Sequence, residues 1–415
     1  MTDRQPASAH FTAGHITGAS DAVRHHDFSS TPGTTAPGQL IGLDIADMDF
    51  SSPPAALEAV HARANRDNIR YTLASEMLRG RIRDWYADRH DWQVREDEIL
   101  LLPFGVKAAL RMALETCADL SRPVVVCTPV YSGILKVTRA VGAVVRTVPL
   151  THDPDLRYTL DPQRLADEFR ASGAGTLVLC SPHNPVGRVW LPEELAGVAA
   201  AAEQAGVLVM SDEVHSDLTY PGVRHRPWAT VADNRNWIVL HSAGKTFNVS
   251  GLQTSFAVTG TPVQRRAILS GLSSWGYYEG SFFGDAVAQA VLAPSSHDWL
   301  DARVRHLAGT AAVTRQALTE FSLPLPSSEP EAGFLLWIDA RALRLSGEVP
   351  ELAERIRLHT GVRLLDGTRF GASPGFLRLN FATAPQSLFT AMERLSCIAT
   401  RPGPVAPTDF AGKTT

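Results

Sequence analysis

His241–Asn248, HSAGKTFN, decides how this chain reads. Gly244, Lys245 and Thr246 spell the end of a phosphate-binding P-loop, yet the same lysine would also suit covalent chemistry through its amine. The two readings lead to unrelated folds. A P-loop needs a second glycine five residues before the one that precedes the lysine, and that position is Val239, inside the strand-like run WIVLHSAG. Without it no loop of backbone amides can cradle a nucleotide's phosphates. The reading tips towards a lysine used for its amine.

Composition narrows the search for that chemistry. Only four of the 39 basic residues are lysines: Lys107, Lys136, Lys245 and Lys413. Lys413 sits in the Pro- and Thr-containing end RPGPVAPTDFAGKTT, which reads as a disordered tail over 401–415. Net charge of −4 gives no basic field for nucleic acid, so none is expected as a partner. No charged start followed by an apolar run opens the chain, and no apolar stretch approaches membrane-spanning length; the expectation is a cytoplasmic protein with no membrane contact. Cys117, Cys127, Cys180 and Cys397 are far apart in apolar stretches and read as buried free thiols. No second-ligand spacing accompanies His183 or His241, so no metal is expected.

At 415 residues the chain exceeds one ordinary core. Residues 1–38 lack sustained periodicity and read as a partly mobile arm. From 39 to about 295, short β-branched runs alternate with Ala-rich helical stretches, the pattern of an α/β fold with a mostly parallel sheet flanked by helices. Strands are expected in PVVVCTP, TLVLCS, VLVMSDEV and WIVLHSAG, and helices in GVKAALRMALETCADL, DPQRLADEFRAS and PEELAGVAAAAEQAG. Residues 296–400 change to a long helix, then GFLLWIDA, PELAERIRLHT, VRLLDG, FLRLNFA and a last helix. They read as a smaller α/β domain, joined by part of the N-terminal segment.

Ligands of such sheets bind beyond the carboxyl ends of the strands. Asn184, Asp212, Ser242 and Lys245 each lie at or just past a strand end, so separate strands bring them to one crevice. This is the set that pyridoxal 5′-phosphate asks for. Lys245 would form the imine, and Asp212 would keep the pyridine nitrogen protonated so that the ring draws electrons. Ser242 would place its hydroxyl on the phosphate and Asn184 would donate to the ring oxygen. Gly105 and Val106, opening a helix after LLPF, with Lys107 beside them, offer backbone amides to the phosphate.

LCSPHNPVGRVW, SDEVHSDLTY and HSAGKTFNVSGL together resemble the fold-type-I pyridoxal phosphate enzymes (aminotransferase class I/II). Within these the chain is similar to the MalY/PatB-type carbon-sulfur lyases, of which cystathionine β-lyase is the familiar activity. IADMDFSSPP, RYTLASEMLRGRIRDWYADRHDW and FLRLNFA extend the resemblance over residues 40–395. The resemblance implies a fold of a large domain with a seven-stranded type of sheet and a smaller C-terminal domain. It also implies that Tyr131 stacks on the cofactor, that Tyr71 reaches the phosphate of a neighbouring subunit in a homodimer with shared sites, and that Arg378 clamps the substrate carboxylate. His215, three residues after Asp212, stands where related aminotransferases usually carry tyrosine and favours the lyase branch.

Arg70, Gly133, Ser181 and Gly244 depart from the family pattern, and the two glycines imply a reshaped, larger pocket. SSWGYYEGSFFG, Ser273–Gly284, either lines that pocket or is a packed turn. For a lyase, an S-substituted cysteine loses its thiol and leaves pyruvate and ammonia. Transamination shares the first steps, and oxygen-dependent decarboxylation with deamination of an S-substituted cysteine is a third outcome that these residues leave open.

Overall fold

The computed structural model describes residues 40–399 except 67–68, 322, 324 and 344–350. The expected arm and tail, with Lys413, lie outside the described residues. Among the described residues the largest sheet has seven strands: β1 (Ile99–Leu102), β2 (Val124–Thr128), β3 (Val145–Pro149), β4 (Thr176–Cys180), β5 (Leu208–Asp212), β6 (Trp237–His241) and β7 (Ser255–Thr259). Their order is β1-β7-β6-β5-β4-β2-β3. Strands β2 to β6 pair in parallel, and β7 runs antiparallel to β1 and β6. The fold is thus the expected α/β class with a mostly parallel sheet.

Apart from the largely exposed edge strand β3, the strands are buried on both faces, because successive side chains point to opposite sides and both sets are mostly apolar. Leu100, Val126, Val178, Met210 and Leu240 pack under α2 (Val106–Cys117), α3 (Ser132–Ala140) and α6 (Pro262–Ser274). Their neighbours Leu101, Val125, Leu179, Val209 and Val239 face the layer of α1 (Glu76–His90), α4 (Pro162–Ser172) and α5 (Pro192–Ala205). Helix α4 begins where its sequence predicts: Asp161 accepts from the N–H groups of Gln163 and Arg164, Pro162 takes the first turn, and Gly173 ends the helix at φ 66°. Strand β7 has no counterpart among the strands expected from sequence. Its SFAVT is polar at both ends, a weak signal next to the run of β6.

Beyond α7 (His297–Glu320), β8 (Leu335–Asp339), β9 (Leu365–Asp366) and β10 (Phe376–Asn380) form an antiparallel sheet in the order β8-β10-β9. Helices α8 (Leu352–Thr360) and α9 (Pro385–Ala399) accompany it. Ile41–Gly42 pairs in parallel with Val362–Arg363, so the first described residues join this C-terminal layer. All four cysteines are free, with Cys127 and Cys180 buried and Cys117 half-buried. Cys397 is exposed on the last helix, against the expectation of burial, because an apolar stretch in a surface helix still turns one side to solvent.

Candidate active site

A cavity of about 230 Å³ opens at the carboxyl ends of β4, β5 and β6. Gly105, Val106, Lys107, Tyr131, Asn184, Asp212, His215, Ser242 and Lys245 all line it. Residues as far apart in the chain as Gly105 and Lys245 meet because parallel strands deliver their following turns to the same edge.

Each group is held in a way that bears on its chemistry. The Lys245 amine reaches the backbone oxygen of Ala46. Burial lowers its pKa, against an opposing pull from Asp47, and so favours the neutral, nucleophilic amine. The buried Asp212 carboxylate accepts from the backbone N–H of Val214 at 3.2 Å. Burial pushes its pKa up to about 6, and among the described residues no cation pairs with it. A protonated ring nitrogen is the partner such a carboxylate lacks. Helix α2 starts just after Gly105 with no side-chain cap, and the residues that carry its first amides line the cavity. A Cβ at Gly105 would stand 3.2 Å from Gln253 Oε1, so glycine suits this close approach. Asn184 Oδ1 accepts from Arg378 Nη1 at 3.2 Å, and among the described residues its NH2 has no acceptor, which suits donation to a ring oxygen. Anion cradle, unpaired carboxylate and buried amine fit pyridoxal 5′-phosphate. His215 adds no charge to the wall: burial lowers its pKa to about 3, and its Nδ1 has no hydrogen-bond partner.

Some expected residues are placed differently. Ser242 lines the cavity, but its hydroxyl donates to Thr254 O at 2.6 Å and accepts from Gly244 N at 2.9 Å, capping the turn that carries Lys245. Arg378 is buried behind Asn184 and does not line the cavity. It also donates to Asp44 O at 2.7 Å, and its Nε has no partner. Tyr71 is 95% exposed and packs edge-on to Tyr278, outside the cavity of its own chain. Nor does Ser273–Gly284 line it; Tyr277 packs on Phe104 instead.

The glycines do not open the pocket as expected. At Gly133 a Cβ would lie 2.3 Å from the Tyr131 ring, and at Gly244 it would lie 3.3 Å from Ser250 Cα. Neighbours have taken the space. Sequence reasoning missed Ala46, Cys180, Val214, Ser250, Gln253 and Thr254, which also line the cavity. Ala46 comes from a segment remote in sequence from Lys245 and gives no local signal. The polar SGLQT after the lysine turn is the available clue to three of the others.

Comparison with known proteins agrees with this geometry. Residues 38–395 match the family model of aminotransferase class I and II. The chain is 30% identical to cystathionine beta-lyase PatB of Bacillus subtilis, covering 86% of this chain and 94% of PatB. It is 27% identical to protein MalY of Escherichia coli, over 84% and 88% of the two chains. Cystalysin of Treponema denticola, solved with pyridoxal 5′-phosphate, superposes with a TM-score of 0.80 at 25% identity, over 86% and 90%. The chain belongs to the aminotransferase class I and II family and, within it, to the MalY/PatB branch of the fold-type-I enzymes that depend on pyridoxal 5′-phosphate.

Proposed function

We propose that this enzyme is a carbon-sulfur β-lyase acting on an S-substituted cysteine. Substrate and one water give a thiol, pyruvate and ammonium. The observation that carries this reading is the meeting of Lys245, Asp212 and the uncapped start of α2 in one cavity, in a chain related to PatB over nearly its whole length.

Bound through the Lys245 amine, pyridoxal 5′-phosphate supplies an electron sink for the carbon that carries the substrate's amino group. The chain's own residues do the rest. Asp212 would pair with the ring nitrogen and keep it protonated. The amides of Val106 and Lys107 would hold the phosphate, and Ser242 caps the turn that carries Lys245. Once displaced by the substrate amine, Lys245, whose neutral form burial favours, would take the proton from the α-carbon. The electrons left behind break the bond between the β-carbon and sulfur, and the thiolate departs and is protonated. Released aminoacrylate then takes up water to give pyruvate and ammonia. Arg378, buried just behind Asn184, would meet the substrate carboxylate by turning its unpartnered Nε towards the cavity.

The same reading makes the active unit a homodimer with shared sites. Ile69, Tyr71, Leu73 and Met77, from one short stretch, are 71, 95, 84 and 62% exposed, more apolar surface than an isolated chain ordinarily leaves in water. It also divides the chain near residue 295 into a cofactor-binding part and a smaller C-terminal part. Among the described residues no helix is long and apolar enough to cross a membrane. The test is product analysis with a panel of S-substituted cysteines. Pyruvate and free thiol in equal amounts support elimination, whereas a keto acid that keeps its sulfur requires transamination. Oxygen consumption during turnover would require the oxidative route instead.

A further inference from the structure

The cavity wall rests on a buried polar cluster that takes no part in lining it. Strand β5 ends at Asp212 and turns through His215 into Ser216–Leu218, whereas β6 ends at His241 and continues through Ser242 into the one-turn helix Ala243–Thr246. The first segment brings Asp212 to the cavity and the second brings Lys245. Behind the wall both segments converge on one carboxylate. Thr246 Oγ1 donates to Asp217 Oδ2 at 2.9 Å, and His241 Nε2 lies 3.3 Å from the same oxygen and 2.8 Å from Ser216 Oγ. Asp217 Oδ1 accepts from Trp85 Nε1 at 2.9 Å and faces His90 Nε2 at 2.9 Å, both on α1. Neighbouring Glu213 anchors the same turn from the other side, through Ser211 Oγ and the Trp228 N–H at 2.8 Å and His225 Nε2 at 3.0 Å.

A carboxylate withdrawn from water is an expensive way to fill space, since apolar side chains of similar volume generally stabilise a core as well. Asp217 is 3% exposed and Thr246 fully buried, and neither lines the cavity. What the cluster provides is geometry: charge-assisted hydrogen bonds of fixed length between two turns that strand pairing alone leaves loose at their ends.

We propose that Asp217 is a positioning residue, which through Thr246 and α1 sets where the Lys245 amine stands relative to the Asp212 carboxylate. The inference rests on Lys245 holding the cofactor but not on which reaction follows. Thr246 is adjacent to Lys245 in a helix of one turn, so loss of its bond lets that turn rotate. Displacements of about 1 Å at such a group can lower turnover on the order of a hundredfold.

The test compares the wild-type holoenzyme with Thr246→Val, which keeps the shape and removes the donor, and Thr246→Ser, which restores it. Three readings are taken: thermal midpoint, kcat and KM, and the visible circular dichroism of the bound cofactor, which reports how the ring is held. Thr246→Val is expected to lower kcat about tenfold or more with KM within about twofold, and to weaken the dichroism. Thr246→Ser is expected to recover both. Wild-type kcat and dichroism in Thr246→Val would overturn the proposal, as would a serine variant as impaired as the valine one. Asp217→Asn, if it folds, should lose at least as much as Thr246→Val, and wild-type behaviour there would also overturn it; if it does not fold, the threonine pair decides. A wild-type protein with no visible cofactor band would instead refute the assignment of Lys245, a separate result.

Discussion

Replacing Asp212 by Asn should stabilise the cofactor-free protein while disabling the enzyme. Burial raises the carboxyl from its ordinary 3.8 to about 6 in the folded chain. Because the folded value is the higher one, the protonated carboxyl is favoured by folding, and stability is lost as pH rises from about 4 to 6. Above that window the full cost of carrying an ionised Asp212 remains. A difference of about two pKa units corresponds to roughly 3 kcal/mol at pH 8, and about half of that at pH 5. Asparagine cannot ionise, keeps an oxygen for the Val214 N–H, and escapes the cost. Urea denaturation of stripped wild-type and Asp212→Asn proteins at pH 5 and pH 8 measures the difference, which should widen with pH. With cofactor restored the order reverses in function: the variant loses the charge that keeps the ring nitrogen protonated, and kcat should fall at least about a hundredfold. Equal denaturation midpoints at pH 8 would refute the reasoning, because the carboxylate would then not be held unpaired and dry.

Arg378→Ala should raise KM for the amino-acid substrate about a hundredfold, because it removes a buried cation from the proposed carboxylate position; steady-state kinetics with one S-substituted cysteine reads this. Gly133→Ala should push the Tyr131 ring off its resting place, since the new methyl would fall 2.3 Å from it; cofactor affinity by equilibrium titration should weaken about tenfold with little loss of fold stability. Gly260→Ala places a Cβ 2.0 Å from the backbone oxygen of Arg235 and should cost about 3 kcal/mol or prevent folding, measurable as a lower thermal midpoint. Mixing inactive Lys245→Ala with Tyr71→Phe subunits should yield hybrid dimers in which one site regains activity; failure of the mixture to exceed the activity of its parts would argue against shared sites.

The legible part of the fold and site rests on two local signals. Runs such as TLVLC and WIVLH are apolar on both faces, as a strand under two helical layers must be, and the polar residues that end them stand at a sheet edge for that reason alone. Asp212, Asn184 and Lys245 can be gathered in this way from sequence. Gly133 and Gly244 cannot be interpreted so, because whether a missing side chain leaves a void depends on what moves into it: the Tyr131 ring in one case, the Ser250 backbone in the other. Asp217 carries no signal either. In SDEVHSDLTY it looks like one more polar residue of a turn, and its four partners lie on α1 and around β6, joined only by the fold. Tyr71 and Arg378 come from family resemblance rather than pattern, and neither lines the cavity of a single chain.

The most direct test of the account is borohydride reduction of the purified yellow protein, followed by peptide mapping. One phosphopyridoxyl group per chain is expected on the peptide containing Lys245, with Lys245→Ala colourless and unlabelled. Label on Lys107 or Lys136, or a wild-type protein that carries no pyridoxal, would contradict it.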